Sequence, residues 1–116
     1  MPLVTFEKWT HNADGPKHAK AVGNMVRRAT HENPIRSSTI ERSLKIPGCA
    51  VRQAVHHLRT KGFPIGSEGK GYFWAYSGQE LALTIKHGEQ RIRSISDWVE
   101  AVSATRREFE NPWKQS

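Results

Sequence analysis

The sequence has a single cysteine, Cys49, and one thiol cannot form an intramolecular disulfide or a multi-cysteine zinc site. No run of apolar residues approaches the roughly 20 that a membrane-spanning helix requires. The N-terminal residues 1–18 lack the basic-then-apolar order of a signal peptide. These absences favour an intracellular protein, and we expect it to be cytoplasmic and to have no membrane partner.

The chain carries far more positive than negative charge. Its 116 residues leave room for one small domain plus an arm or an extra helix, which favours a binding module over a self-contained enzyme. The formal charge is +7 and the isoelectric point about 10.0. Residues 34–76 hold seven Lys and Arg against two Asp and Glu, a net +5, whereas residues 77–116 are balanced at six against six. Such an excess favours an anionic partner, usually nucleic acid.

The first third of the chain predicts an arm and a helix. Residues 1–16 have no helical spacing and are expected to form an irregular N-terminal arm. Helical spacing over residues 17–31 predicts the first helix, and "ENP" ends it because a residue before proline avoids the helical region. Residues 34–36 then predict a small strand. The apolar stripe of the first helix is Ala21, Val22, Met25, Val26 and Ala29.

A short second helix is predicted after this strand. Ser37 or Ser38 is a suitable N-cap, and Ser38 with Glu41 has the spacing of a capping box. This helix is expected to end near Lys45, where "IPG" predicts a turn with a proline placed to open the next helix.

The third helix is predicted from Gly48 to Lys61, with Gly62 as its C-terminal stop. Its apolar stripe is expected to be buried, and its other side is polar and basic. Residues 63–76 then predict two short strands joined at glycines, with Tyr72 and Trp74 on one face and Phe73 on the other. The apolar stripe of the third helix consists of Val51, Val55 and Leu58, with Ala50 and Ala54 beside it.

The last segment, residues 77–116, predicts a long helix opened by a capping box between Ser77 and Glu80. Apolar residues recur there at alternating spacings of four and three, a period of 3.5 that is typical of a coiled coil. Either the helix covers its own domain, with a bend at Gly88 or around "RSISD", or its distal half pairs with a second copy to form a homodimer. The repeat comprises Leu81, Ile85, Gly88, Ile92, Ile95, Val99, Val102, Arg106 and Phe109.

The predicted order is helix, small strand, short helix, turn, helix and two-stranded hairpin, a mainly α chain with a small β-hairpin wing. "IPGCAVRQAVHHLRTKGFPI…GKGYFWA" resembles the winged helix-turn-helix DNA-binding domain of the biotin-operon repressor type. The motifs behind this resemblance are "LRTKG", Leu58 to Gly62, at the end of the recognition helix and "GKGY", Gly69 to Tyr72, in the wing. The resemblance covers roughly residues 17–76.

The resemblance implies duplex DNA binding, with the third helix in the major groove and the wing on the backbone or minor groove. No ligase or effector-binding domain is recognised after residue 76, so we expect no biotin chemistry, no cofactor and no small-molecule effector. A freestanding domain of this kind suits a sequence-preferring transcriptional regulator or a viral or plasmid-type DNA-organising factor.

The residues that read DNA are expected near the N-terminus of the third helix, opposite its apolar stripe. Arginine can bond two acceptors of guanine and glutamine two groups of adenine, which makes Arg52 and Gln53 candidates for base contacts. Arg59, one turn beyond His56, and the edge of the second helix suit phosphates. The predicted DNA-binding set is Arg36, Ser38, Thr39, Cys49, Arg52, Gln53, His56, Arg59 and Lys70. Arg27 and Arg28 are as compatible with a solvated face as with DNA.

Other function classes have weaker support in the sequence. His56 and His57 are adjacent and point about 100° apart on a helix, so they do not suit one metal, and no nucleophile motif indicates catalysis. "GSEGKG" lacks the spacing of a nucleotide-binding P-loop and is followed by aromatic strand residues. A protein-interaction adaptor within a replication or packaging complex stays open, because a fold does not determine its function.

Overall fold

The computed structural model describes residues 16–69 and 71–110. The described chain is mainly helical, with a small antiparallel sheet and a long C-terminal helix, which confirms the predicted class at this level. In chain order the elements are α1 (Ala19–Val26), β1 (Ile35–Arg36), α2 (Ser37–Leu44), α3 (Gly48–Thr60), β2 (Ile65–Glu68), β3 (Gly71–Trp74) and α4 (Gly78–Glu110).

The chain divides into two compact units, Met1–Thr84 and Ile85–Ser116. Helix α4 contributes residues 78–84 to the first unit and residues 85–110 to the second. The predicted arm lies outside the described residues apart from Pro16. None of the helices in the described part of the chain combines the length and the apolar content that crossing a bilayer requires.

The core of the first unit forms where α1 packs on α3 and the sheet closes over both helices. The predicted stripe of α3 is buried: Val51 and Leu58 are inaccessible to solvent and Val55 nearly so. Apolar side chains at helical spacing place these groups on one face, and their burial is the main source of stability in a unit of this size. Ile40 of α2 completes the contact between the helices.

Helix α1 ends at Val26, earlier than the predicted residue 31. The cause is a contact distant in sequence, because the carbonyl of Ala29 accepts a hydrogen bond from the backbone N–H of Trp74 at 3.1 Å. Ala29 was predicted to belong to the apolar stripe of this helix, but it is buried beyond the end of α1 and packs with Phe73 and Ala75. The chain after α1 therefore follows the sheet instead of continuing the helix.

Helix α2 begins at Ser37 with Arg36 as its N-cap, so the predicted serine N-cap and the capping box of Ser38 with Glu41 are wrong. The Ser37 hydroxyl donates instead to a carboxylate oxygen of Glu41 at 2.9 Å. The helix ends as predicted, with Lys45 in the left-handed conformation at φ 56°.

Helix α3 ends in a Schellman motif. The N–H of Gly62 donates to the carbonyl of Arg59 at 3.0 Å, and the N–H of Phe63 donates to the carbonyl of Leu58 at 3.2 Å. Gly62 has φ 96°, a conformation that glycine adopts without a Cβ penalty. The predicted glycine stop is therefore confirmed, and it directs the chain from α3 into β2.

The three strands have the order β1-β3-β2, and both pairs are antiparallel. Tyr72 and Trp74 pack towards the main core, whereas Phe73 faces the other side, as predicted from strand alternation. Gly66 lies opposite Phe73, and a Cβ added at Gly66 would lie 2.3 Å from Cζ of Phe73. The phenyl ring therefore occupies the space that any side chain at position 66 would need.

The start of α4 is attached to the edge of the sheet. The Thr84 hydroxyl accepts a hydrogen bond from the N–H of Ser67 and donates one to its carbonyl, both at 3.0 Å. The serine half of the predicted capping box is confirmed, since the N–H of Glu80 donates to the Ser77 hydroxyl at 3.3 Å. The Glu80 carboxylate accepts from the N–H of Tyr76 at 2.9 Å instead of from that of Ser77. Ser67 belongs to an edge strand, so Thr84 satisfies backbone groups that no strand pairs.

Candidate nucleic-acid interface

Helix α3 has one buried face and one exposed polar face. Arg52, Gln53 and His56 are exposed, and so is Cys49 one turn earlier. These positions recur at i, i+3, i+4 and i+7, so they form one continuous surface on the side opposite the apolar stripe. The whole helix contains no acidic residue. We name this surface, made of Cys49, Arg52, Gln53 and His56, the reading face.

The N-terminal end of the reading face lies against α2 at Gly48. A Cβ added at Gly48 would lie 3.4 Å from Oε2 of Glu41 and 3.5 Å from Nη1 of Arg52. The carboxylate of Glu41 and the guanidinium of Arg52 therefore both lie beside the start of α3. A Cβ at position 48 would be in ordinary van der Waals contact with both groups.

The predicted residues at the edge of α2 lie beside a basic residue that the sequence did not single out. Arg36 and Ser38 are exposed and Thr39 is half-buried. Arg36 and Thr39 line a shallow depression together with Arg28, which follows the end of α1. From the sequence alone, Arg28 was as compatible with a solvated face as with DNA, because the early end of α1 depends on the sheet.

The N-termini of α2 and α3 lie next to predicted DNA-binding residues. The N-cap residues are Arg36 for α2 and Pro47 for α3, and neither makes a side-chain hydrogen bond to its helix. The first N–H groups of a helix carry a partial positive charge and are suited to anions such as phosphate. Both helix starts therefore add to the positive potential of the neighbouring Arg36 and Arg52.

Arg59 has partners within the protein. Its Nε donates to the carbonyl of Ile65 at 2.8 Å, and one terminal nitrogen donates to the Ser67 hydroxyl at 3.1 Å. Burial of the guanidinium against β2 lowers the pKa of Arg59 from its ordinary value, and the nearby Tyr72 side chain acts in the opposite direction. Arginine keeps its proton at any working pH, so Arg59 is a fixed positive charge that connects α3 to β2. Its predicted phosphate contact stays a prediction.

The strands β2 and β3 meet in a tight turn. Gly69 is exposed and has φ 62°, a left-handed conformation that suits a hairpin turn. The next residue, Lys70, lies outside the described residues, so its predicted position at the tip is untested. Gly69 itself is accessible from solvent.

The carboxylate of Glu68, the residue before Gly69, is paired with His31. Glu68 is the only acidic residue between Glu41 and Glu80 in the sequence. Its carboxylate lies 2.5 Å from Nε2 of His31, whose ring contacts the edge of Phe73 at a centroid distance of 5.1 Å. The sequence did not predict this pair, because the two residues are 37 positions apart. As a result the acidic group is held by His31, which lies in the loop between α1 and β1.

The residues 16–69 and 71–110 contain no cluster of three or more His, Cys, Asp and Glu side chains that could hold a metal ion. Comparison of the chain with models of protein families, with curated proteins and with solved structures gives no match.

Proposed function

We propose that this protein binds duplex DNA, with α3 in the major groove. The observation that carries the proposal is the reading face, an exposed surface with Arg52, Gln53 and His56 and without a carboxylate on its helix. A major groove admits one α-helix, and arginine and glutamine are the side chains that bond guanine and adenine in two places. Net positive charge over residues 34–76 supports attraction to the phosphate backbone.

The arrangement of the first unit supports a winged helix-turn-helix reading of the fold. Its order of α1, β1, α2, α3, β2 and β3 is the order of that architecture, and β1 pairs with β3 beside the hairpin. In this proposal the β2–β3 turn is the wing and contacts the backbone or the minor groove, with Lys70 on a phosphate. The resemblance of "LRTKG" and "GKGY" to motifs of the biotin-operon repressor type also supports the winged helix-turn-helix fold.

The remaining residues take positions around this central contact. Arg36, Ser38 and Thr39 at the edge of α2, together with Arg28 in the same depression, are proposed to bind phosphates. Cys49 lies on the reading face within reach of the groove wall. Arg59 is proposed as a positioning residue that fixes the wing relative to α3, since two of its donors are bonded to β2.

The biological role that follows is a regulator of transcription or a viral or plasmid-type DNA-organising factor, in the cytoplasm and associated with the nucleoid. An adaptor that binds only protein is the competing function. The two differ in the reading face, because an adaptor does not require an exposed arginine and glutamine on a helix that contains no acidic residue.

Selection from random duplexes tests the proposal. The full chain is incubated with the pool at near-physiological salt, and bound duplexes are amplified and sequenced over several rounds. We expect an enriched motif that contains guanine or adenine at the positions contacted by Arg52 and Gln53. The double variant Arg52→Ala/Gln53→Ala is expected to lose the preference at these positions. Absence of any motif, or the same motif from the double variant, would overturn groove reading by α3.

A further inference from the structure

The apolar repeat of α4 is exposed throughout the second unit. Within residues 85–110 it comprises Ile85, Gly88, Ile92, Ile95, Val99, Val102, Arg106 and Phe109, which we name the seam. Ile92 is 69% exposed, Val102 58% and Phe109 76%, and α4 has no buried residue among those described. A contiguous exposed apolar surface of this length marks an interaction site, and its period of 3.5 residues is that of a helix that pairs with another helix.

Two members of the seam break its apolar pattern, Gly88 and Arg106. A glycine inside a helix destabilises that helix relative to alanine. A Cβ added at Gly88 would meet no atom within 4 Å in the described chain, so nothing in its own chain requires a glycine there. Both exceptions lie nine residues from position 97, one before it and one after it.

We propose that residues 85–110 pair in antiparallel orientation with the same segment of a second copy of this chain. The alignment places Gly88 of each copy opposite Arg106 of the other. An arginine is too large for an ordinary apolar layer, and a glycine leaves a gap, so each exception accommodates the other. The same alignment brings together Ile85 with Phe109, Ile92 with Val102 and Ile95 with Val99, which are apolar layers throughout.

The parallel alternative does not resolve the two exceptions. In a parallel pair in register, each seam residue faces its own counterpart. Arg106 would then face Arg106, with repulsion between like charges, and Gly88 would face Gly88, with a gap in the packing. Arg106 forms an exposed ion pair with Glu110 of its own helix at 2.8 Å in either orientation, so the space left by Gly88 is what distinguishes the antiparallel layer.

The distribution of charge favours the antiparallel orientation independently. Residues 85–96 hold three Lys and Arg and one Glu, a net +2, whereas residues 98–110 hold two Arg and three Glu, a net −1. Antiparallel pairing places the positive half of one helix along the negative half of the other. Trp98, which is 57% exposed, flanks the midpoint of the seam, where the two-fold axis of such a pair brings it beside its counterpart.

The mass of the full chain in solution tests whether the seam pairs. We expect a dimer by light scattering, and we expect Ile92→Asp to weaken association by about 100-fold or more, because it places a carboxylate in each of two apolar layers. Ala104→Asp adds the same charge on the exposed side of α4 away from the seam and is expected to leave the dimer intact. A monomeric parent, or an Ile92→Asp variant as dimeric as Ala104→Asp, would overturn the proposal.

Cysteine pairing tests the orientation. In a Cys49→Ser background, Ile92→Cys and Val102→Cys chains are oxidised separately and as a mixture. The antiparallel alignment predicts disulfides between the two variants in the mixture and few within either variant alone. Disulfides that form efficiently within each variant alone would overturn the alignment. The pairing does not rest on DNA binding, so a failure of either experiment leaves the proposed function to be judged by the duplex selection.

Discussion

The guanidinium of Arg59 donates a hydrogen bond to the backbone carbonyl of Ile65 at 2.8 Å, across the turn that follows α3. A second bond from the same group reaches the hydroxyl of Ser67 at 3.1 Å. These two contacts connect the last turn of the helix that carries the reading face to the strand that leads into the proposed wing. This side chain therefore helps to set the spacing between the two elements that are proposed to contact DNA.

Replacement of Arg59 tests this connection. Arg59→Met removes the hydrogen bonds that the guanidinium donates to Ile65 and Ser67. We therefore expect a loss of about 1–2 kcal/mol in the free energy of unfolding. Arg59→Lys keeps the charge but not the two-pronged geometry, and an intermediate loss is expected. Urea unfolding measures both values. An Arg59→Met variant as stable as the parent would show that the contacts contribute nothing measurable.

The close approach of Phe73 to Gly66 predicts a second effect on stability. A methyl group at position 66 would collide with the ring, so we expect Gly66→Ala to lower the free energy of unfolding by about 1–3 kcal/mol. Gly78→Ala is the matched control, because a Cβ there would meet nothing within 4 Å. The double variant Gly66→Ala/Phe73→Leu should recover part of the additional loss relative to the sum of the single variants. Strict additivity of the two would contradict a direct clash.

The contact of Thr84 with Ser67 predicts local protection of the sheet edge. Thr84→Val has nearly the same shape but leaves the N–H and the carbonyl of Ser67 without their partner, and we expect a loss of about 1–3 kcal/mol in stability. Thr84→Ser retains the hydroxyl and should behave more like the parent. Hydrogen exchange at the amide of Ser67 should be faster in Thr84→Val alone. Equal exchange in both variants would show that the Thr84 hydroxyl does not protect the amide of Ser67.

The depression beside α2 predicts a dependence on salt. If Arg28 and Arg36 bind phosphates, each change to alanine should reduce the slope of log affinity against log salt concentration by about 1. The sequence preference should stay unchanged, because phosphate contacts do not read bases. Arg93→Ala in the second unit removes the same charge elsewhere and serves as the control. An unchanged slope for Arg28→Ala would place that residue outside the interface.

The sequence predicted α3 well because all the signals for this helix are local. The apolar period, the turn before Gly48 and the stop at Gly62 lie within one segment, and the exposed polar face follows from them. The early end of α1 was not predictable in this way, since it depends on a hydrogen bond between Ala29 and Trp74.

The same distinction applies to the candidate site. Arg52 and Gln53 were placed on an exposed face because helical periodicity alone determines their side of the helix. The partners of Arg59 and Glu68 depend on how the chain returns after Gly62, and no local pattern specifies that path. Sequence reasoning therefore identified the charged groups but not the contacts that hold them.

Affinity for the selected duplex in the Arg52→Ala variant tests most directly whether the reading face reads DNA. Arg107→Ala is the matched control, since it removes one exposed arginine from the second unit. We expect Arg52→Ala to reduce the preference for the selected duplex over a scrambled one by about 10- to 100-fold, as for the loss of one bidentate base contact. Arg107→Ala should leave this ratio unchanged. An unchanged ratio in Arg52→Ala, or an equal loss in both variants, would contradict base reading by α3.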